Sequence, residues 1–158
     1  MKHLLRHSLF GLFLCLIFGL GLSSCSEEND CSLTSRSMGR FNFLTKSTLS
    51  EKKIDTLSVT ALNTDSVLVN KDVLATYESL PLSYTSNMTT FIFHYSETER
   101  DTLWVSHQNI AHFVSMECGT TMFHHLDSVR CTYNIIDSIA ISNPEIDNNE
   151  KENIRIFY

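Results

Sequence analysis

Hydrophobic and polar positions alternate along this chain in short runs. Thr90-Phe91-Ile92-Phe93-His94-Tyr95 sets Phe91, Phe93 and Tyr95 on one face, because successive side chains of an extended strand point to opposite sides. Phe41-Asn42-Phe43-Leu44 begins an earlier strand. Further candidates lie at residues 112–116 and 121–123, and Asn153-Ile154-Arg155-Ile156-Phe157-Tyr158 closes the chain. That last strand is expected to pair inside a sheet.

A five-residue figure recurs between them. Asp55-Thr56-Leu57-Ser58-Val59 returns as Asp65-Ser66-Val67-Leu68-Val69, Asp101-Thr102-Leu103-Trp104-Val105, Asp127-Ser128-Val129-Arg130-Cys131 and Asp137-Ser138-Ile139-Ala140-Ile141. Asp favours the preceding turn, since its side chain bonds nearby backbone N–H groups. The apolar pair at period two then faces a core, and β-branched residues fill it as strands prefer. Ser79-Leu80-Pro81-Leu82-Ser83-Tyr84 also alternates, but Pro81 confines it to an edge or a strand start. Only residues 73–78 read as a helical piece, and a short one. About eight to ten short strands with turn residues between them predict an all-β chain, an immunoglobulin-like β-sandwich.

The N-terminus departs from this pattern. Met1-Lys2-His3-Leu4-Leu5-Arg6 is basic, and residues 8–22 are uncharged and largely apolar. This is the plan of a secretory leader, and the run is short for a spanning helix of about 20 residues. Leu22-Ser23-Ser24-Cys25 resembles a bacterial lipobox, in which small residues fit the peptidase and the thiol takes a lipid. Ser26-Glu27-Glu28-Asn29-Asp30 reads as a solvated tether. It also resembles the acidic segments that send some Bacteroidetes lipoproteins to the outer face of the outer membrane. The organisation expected is a leader at 1–24, a lipidated tether at 25–38 and a sandwich domain at 39–158.

Composition narrows the function classes. Without residues 1–24 the chain keeps 134 residues, enough for one core. Lys2 and Arg6 leave with the leader, so 10 basic residues stand against 18 acidic ones, a balance of −8. That balance argues against a nucleic-acid partner. Gly39 and Gly119 are the glycines beyond the leader, so no Gly-rich phosphate loop exists. No cofactor is expected.

Residues able to carry chemistry are few. Cys31, Cys118 and Cys131 are an odd number for an oxidising compartment. A Cys31–Cys118 disulfide would pin the N-terminal segment and stabilise by about 4–5 kcal/mol in the chain-entropy model, leaving Cys131 as a small buried hydrophobe. The rival pair is Cys118–Cys131. His112, Glu117 and His124 or His125 could converge on a transition metal, though no zinc-type spacing is present, and the plainer reading is exposed strand and loop histidines. His124 and His125, being adjacent, should face opposite ways. No nucleophile elbow is present, and the carboxylates are expected in turns. Trp104 would face outward as a binding residue or pack under a loop. The Asp-Ser/Thr-apolar figure also resembles the O-glycosylation acceptor motif of secreted Bacteroidetes proteins, with Thr56, Ser66, Thr102, Ser128 and Ser138 as candidate acceptors.

Taken together, the lipobox, Cys31, the Asp-Thr-Leu strand opening, Leu80-Pro81-Leu82, Phe113-Val114-Ser115-x-x-Cys118-Gly119 and Ile154-x-Ile156-Phe157 resemble an uncharacterised family of Bacteroidetes lipoproteins, a domain of unknown function. The resemblance implies that Cys31 is matched to Cys118 and that Cys131 is an addition. It implies no activity. The expectation is a non-enzymatic module on a bacterial outer membrane, at its periplasmic or cell-surface face. It would be held by its lipid anchor and would bind an envelope protein or a glycan, or serve a structural role. The alternative is a metal-binding protein or a hydrolase-like enzyme using the histidines.

Overall fold

The computed structural model describes residues 36–62, 64 and 66–158. The expected leader, Cys25, Cys31 and most of the tether lie outside them. The described residues form strands and connections with no helix: β1 (Met38–Leu44), β2 (Ile54–Ala61), β3 (Val67–Ala75), β4 (Tyr77–Pro81), β5 (Met88–His94), β6 (Arg100–Ser115), β7 (Gly119–Cys131), β8 (Ser138–Ile141), β9 (Glu145–Ile146) and β10 (Glu152–Phe157). They make two sheets, one ordered β4-β1-β10-β8 and the other β3-β2-β5-β6-β7-β9. The chain is an all-β sandwich.

Period-two patterning places the core. In β1, Phe41 and Phe43 are fully buried between less buried neighbours, and in β5 the same holds for Phe91 and Phe93. The two pairs meet across the sandwich. Phe41 approaches Phe91 edge-on at 5.6 Å between ring centroids, and Phe43 approaches Phe93 at 6.4 Å. Edge-to-face pairs add about 0.5–1.5 kcal/mol beyond the area they bury. Tyr158 stands edge-on to Phe43 at 6.0 Å, and its hydroxyl meets that of Tyr95 at 3.0 Å. Burial pushes both phenols above their ordinary range, Tyr95 further than Tyr158.

The closing strand is central, as expected. β10 lies parallel to β1 and antiparallel to β8, with Ile154 and Ile156 inward. Buried Asn153 fastens it: Oδ1 accepts from the Arg40 N–H at 3.0 Å, and Nδ2 donates to the Glu145 carbonyl at 2.8 Å. Pro81 ends β4, an edge strand, where its missing N–H breaks no ladder.

Three expectations need correction. Residues 73–78 are not helical: they end β3 and begin β4. β3 is an edge strand with left-handed backbone at Lys71 (φ 53°) and Leu74 (φ 59°), and the Asp72 carboxylate accepts from the Val73 N–H at 2.9 Å. These are features of a bulged edge, which no 3.6-residue period signals. The candidates at 101–105 and 112–116 fall in one sixteen-residue strand, β6, joined to β7 by a turn at 116–118 after which Gly119, the first residue of β7, takes φ 72°.

The carboxylates are not all in turns either. Asp101 is wholly buried in β6. Its Oδ1 accepts from Thr132 Oγ1 at 2.6 Å and the Asn134 N–H at 2.9 Å, and its Oδ2 accepts from the N–H groups of Ile135 at 2.9 Å and Ile136 at 3.0 Å. It anchors the connection from β7 to β8. The Asp127 copy lies within β7 rather than opening a strand.

Candidate functional site

The residues singled out from the sequence scatter. Asp65, Cys25 and Cys31 lie outside the described residues. Thr56, Ser66 and Ser128 are exposed, whereas Thr102 and Ser138 are half-buried. Cys131 is a free, buried thiol in the core, pushed up by burial, and Cys118 is not free. The Cys118–Cys131 pairing is therefore excluded. Trp104 is half-buried under the Arg130 guanidinium, 5.0 Å from its ring.

The histidines do not converge. His112 stacks on Phe123 at 4.5 Å. His125 Nδ1 meets Glu145 Oε1 at 2.6 Å on the outer face. Glu117 is exposed at the hairpin turn. Among the described residues no three His, Cys, Asp or Glu side chains are grouped to hold a metal. His124 and His125 do face opposite ways, but the expectation of exposed histidines fails at two positions. His107 is 0 % exposed and His124 is 2 % exposed.

These two build the platform of a cleft. His107 shares the inward row of Leu103 and Val105, a signal available in the alternation of β6. Its ring stands edge-on to that of His124, 5.1 Å away. Its Nε2 meets Thr89 Oγ1 at 2.9 Å, and that oxygen accepts from the Ser83 N–H at 2.8 Å. The His107 N–H donates to the Asn87 carbonyl at 2.9 Å. The loop at residues 82–87 is thus held from behind by buried groups, and Tyr84 projects from it, exposed. On the opposite side, buried Ser37 donates to the Met122 carbonyl of β7 and so places Arg36. The Arg36 guanidinium lies 5.6 Å from the centre of the Tyr84 ring.

Arg36, Leu82 and Tyr84 form a common wall between two hollows. One, of about 460 Å³, is lined by hydroxyl residues such as Ser66, Ser83, Thr85 and Thr90 with Leu62 and Met88. The other, of about 340 Å³, is completed by Thr120, Thr121, Met122 and His124. Small-ligand sites span about 300–1,000 Å³.

The tautomer of His124 follows from its neighbours. Asn109 Nδ2 donates to the Ser86 carbonyl at 3.0 Å, and a carbonyl can only accept. Asn109 Oδ1 is therefore the atom facing His124 Nδ1, at 2.7 Å, and Nδ1 must carry the proton. Nε2 is left as a bare acceptor, without a protein partner among the described residues, on a side chain that lines the smaller hollow. Burial holds the ring neutral, with help from His107 and Arg36, and its pKa falls to about 4. Burial lowers His107 too, against the opposing pull of Asn109 and Asp127. Two buried atoms of this region, His107 Nδ1 and Thr121 Oγ1, have no hydrogen-bond partner among the described residues. Such orphans are uncommon in folded proteins.

Sequence reasoning missed Arg36, Tyr84, Thr89, Asn109 and Thr121, which carry no motif and come from separate stretches. No curated protein and no solved structure matches the chain. The profile of a family of unknown function matches residues 56–158, which include most of the cleft wall but not Arg36. The chain belongs to that family, DUF6452.

Proposed function

We propose that this protein is a non-enzymatic binding module of a bacterial cell envelope that takes its ligand in the double cleft around Arg36 and Tyr84. The observation behind this is the pair of hollows sharing one cation–aromatic wall, beside a buried polar platform with unpaired atoms. Such a cleft, mixed in polarity and built on a fixed scaffold, is what a small-ligand or glycan site requires. A lipid on Cys25 holds the module to the outer membrane, and a Cys31–Cys118 disulfide ties its N-terminal segment to the β6–β7 hairpin. The odd cysteine count and the free state of Cys131 support that pairing. Exposed Thr56, Ser66 and Ser128 are the better placed glycosylation acceptors.

The test is binding of the full chain, in detergent, to immobilised envelope polysaccharides, both neutral and acidic, with Tyr84→Ala as control. Binding that is lost in Y84A supports the cleft. Binding that Y84A leaves intact, or no binding at all, rejects it in favour of a structural role. Protease shaving of intact and lysed cells separately reports the membrane face. Removal from intact cells supports the acidic export segment, and removal only after lysis rejects it.

A further inference from the structure

The smaller hollow has a chemistry that restricts its occupant. The chain carries 18 acidic residues, yet among the described residues no carboxylate lines either hollow. Arg36 is the one guanidinium in the shared wall, and no carboxylate among the described residues pairs with it. Arg36 also borders a small separate hollow with Asp147 and Glu150, neither of which pairs with it, so its charge toward the cleft remains available to an anion. Charge alone does not complete the match. His124 Nε2 is an acceptor, so it repels a carboxylate oxygen and needs a donor from the ligand. Thr121 lines the same hollow and is only 5 % exposed, and its buried Oγ1 has no partner among the described residues. It can donate and accept. The occupant must therefore bring an anionic group to Arg36 and hydroxyl groups to His124 and Thr121, and its apolar face would lie along Tyr84 and Leu82.

Resting on the cleft reading above, we infer that this hollow is a subsite for a hydroxylated carboxylate, a uronate-type acidic sugar. Arg36 binds the carboxylate, His124 Nε2 accepts from a ring hydroxyl, and Thr121 Oγ1 completes its buried valence on a second hydroxyl. Asn109 acts at one remove, as the residue that fixes the His124 tautomer.

The test is calorimetric titration of the full chain in detergent at pH 7 with three probes: D-glucuronate, D-glucose and acetate. Glucuronate carries charge and hydroxyls, glucose hydroxyls alone and acetate charge alone. The expected result is glucuronate binding roughly tenfold tighter than either of the others. Arg36→Gln should bring glucuronate down to glucose. Thr121→Val and His124→Asn should weaken glucuronate and glucose alike, the latter keeping a donor to Asn109 while removing Nε2. Equal binding of glucuronate and glucose, or of glucuronate and acetate, would overturn the inference. So would an R36Q variant that folds and still prefers glucuronate. Polysaccharide binding that is lost in Y84A without any preference for the uronate would sink this inference alone and leave the cleft reading standing.

Discussion

Asp101 in β6 holds the backbone N–H of Ile136 at 3.0 Å, and the same carboxylate serves Ile135, Asn134 and Thr132. One buried side chain thereby orders the whole connection between β7 and β8. A hydrogen bond to a charged group contributes about 1.5–3 kcal/mol, and a buried donor left unpaired costs a similar amount. Asp101→Asn replaces one oxygen by an NH₂ group that faces N–H donors. Denaturant unfolding should show it less stable by about 2–4 kcal/mol. A loss below about 0.5 kcal/mol would mean that the four bonds do not hold the connection.

The buried histidines set an acid limb of stability. His124 goes from an ordinary value of 6.5 to about 4 in the fold, and His107 is also lowered. Between those values the unfolded chain binds more protons than the folded one, so stability rises with pH there. It is fully present above about pH 6.5 and is lost as pH falls toward 4. The groups facing the pair are Arg36, Asn109, Thr89, Thr121 and Asp127, and Asp127 moderates the effect at His107. His124 supplies on the order of 2–3 kcal/mol over the window. His124→Asn should flatten the limb relative to the natural chain, leaving the smaller slope from His107. Parallel pH profiles for the two proteins would contradict this.

Glu78 acts in the opposite sense. Burial first, and the Asp72 carboxylate second, raise it from 4.5 to about 7. Here the folded state binds more protons, so stability present below pH 4.5 is lost as pH rises through 7. Glu78→Gln removes the charge and keeps the shape. Its Tm should exceed that of the natural chain at pH 8 and equal it at pH 4. A lower Tm at pH 8 would show the carboxylate to be stabilising.

Tyr95 and Tyr158 join the end of the six-stranded sheet to β10 through their hydroxyls and an edge-on ring contact at 6.0 Å. Tyr95→Phe and Tyr158→Phe should each lose about 1 kcal/mol. The double variant should lose less than the sum, because the two share one bond. Additive losses would place the hydroxyl partners elsewhere.

How far the sequence could be read depends on the range of each signal. Period-two alternation is local, so Phe41, Phe43, Phe91 and Phe93 were legible as inward residues, and the closing strand as a paired one. Pro81 announced an edge because its missing N–H acts at its own position. The five Asp-led copies look alike in sequence, yet of the four whose Asp is described only Asp101 is buried, because the loop at 132–136 offers it four donors that nothing local reveals. The helical expectation at 73–78 failed because left-handed residues at Lys71 and Leu74 leave no compositional trace. The cleft was the least legible feature. Arg36, Tyr84, Thr121 and His124 are single residues on separate stretches, brought together by the packing of the loop at 82–87 against β6 and β7.

Recognition in the cleft turns on a neutral His124 that is protonated at Nδ1 and offers Nε2 to a ligand. Nitrogen NMR of the full chain labelled with ¹⁵N-histidine reads both ring nitrogens directly. At pH 7 Nδ1 of His124 should lie in the protonated range and Nε2 in the unprotonated range, with both holding until the pH nears 4. A His124 protonated at Nε2, or already an imidazolium at pH 7, would contradict it.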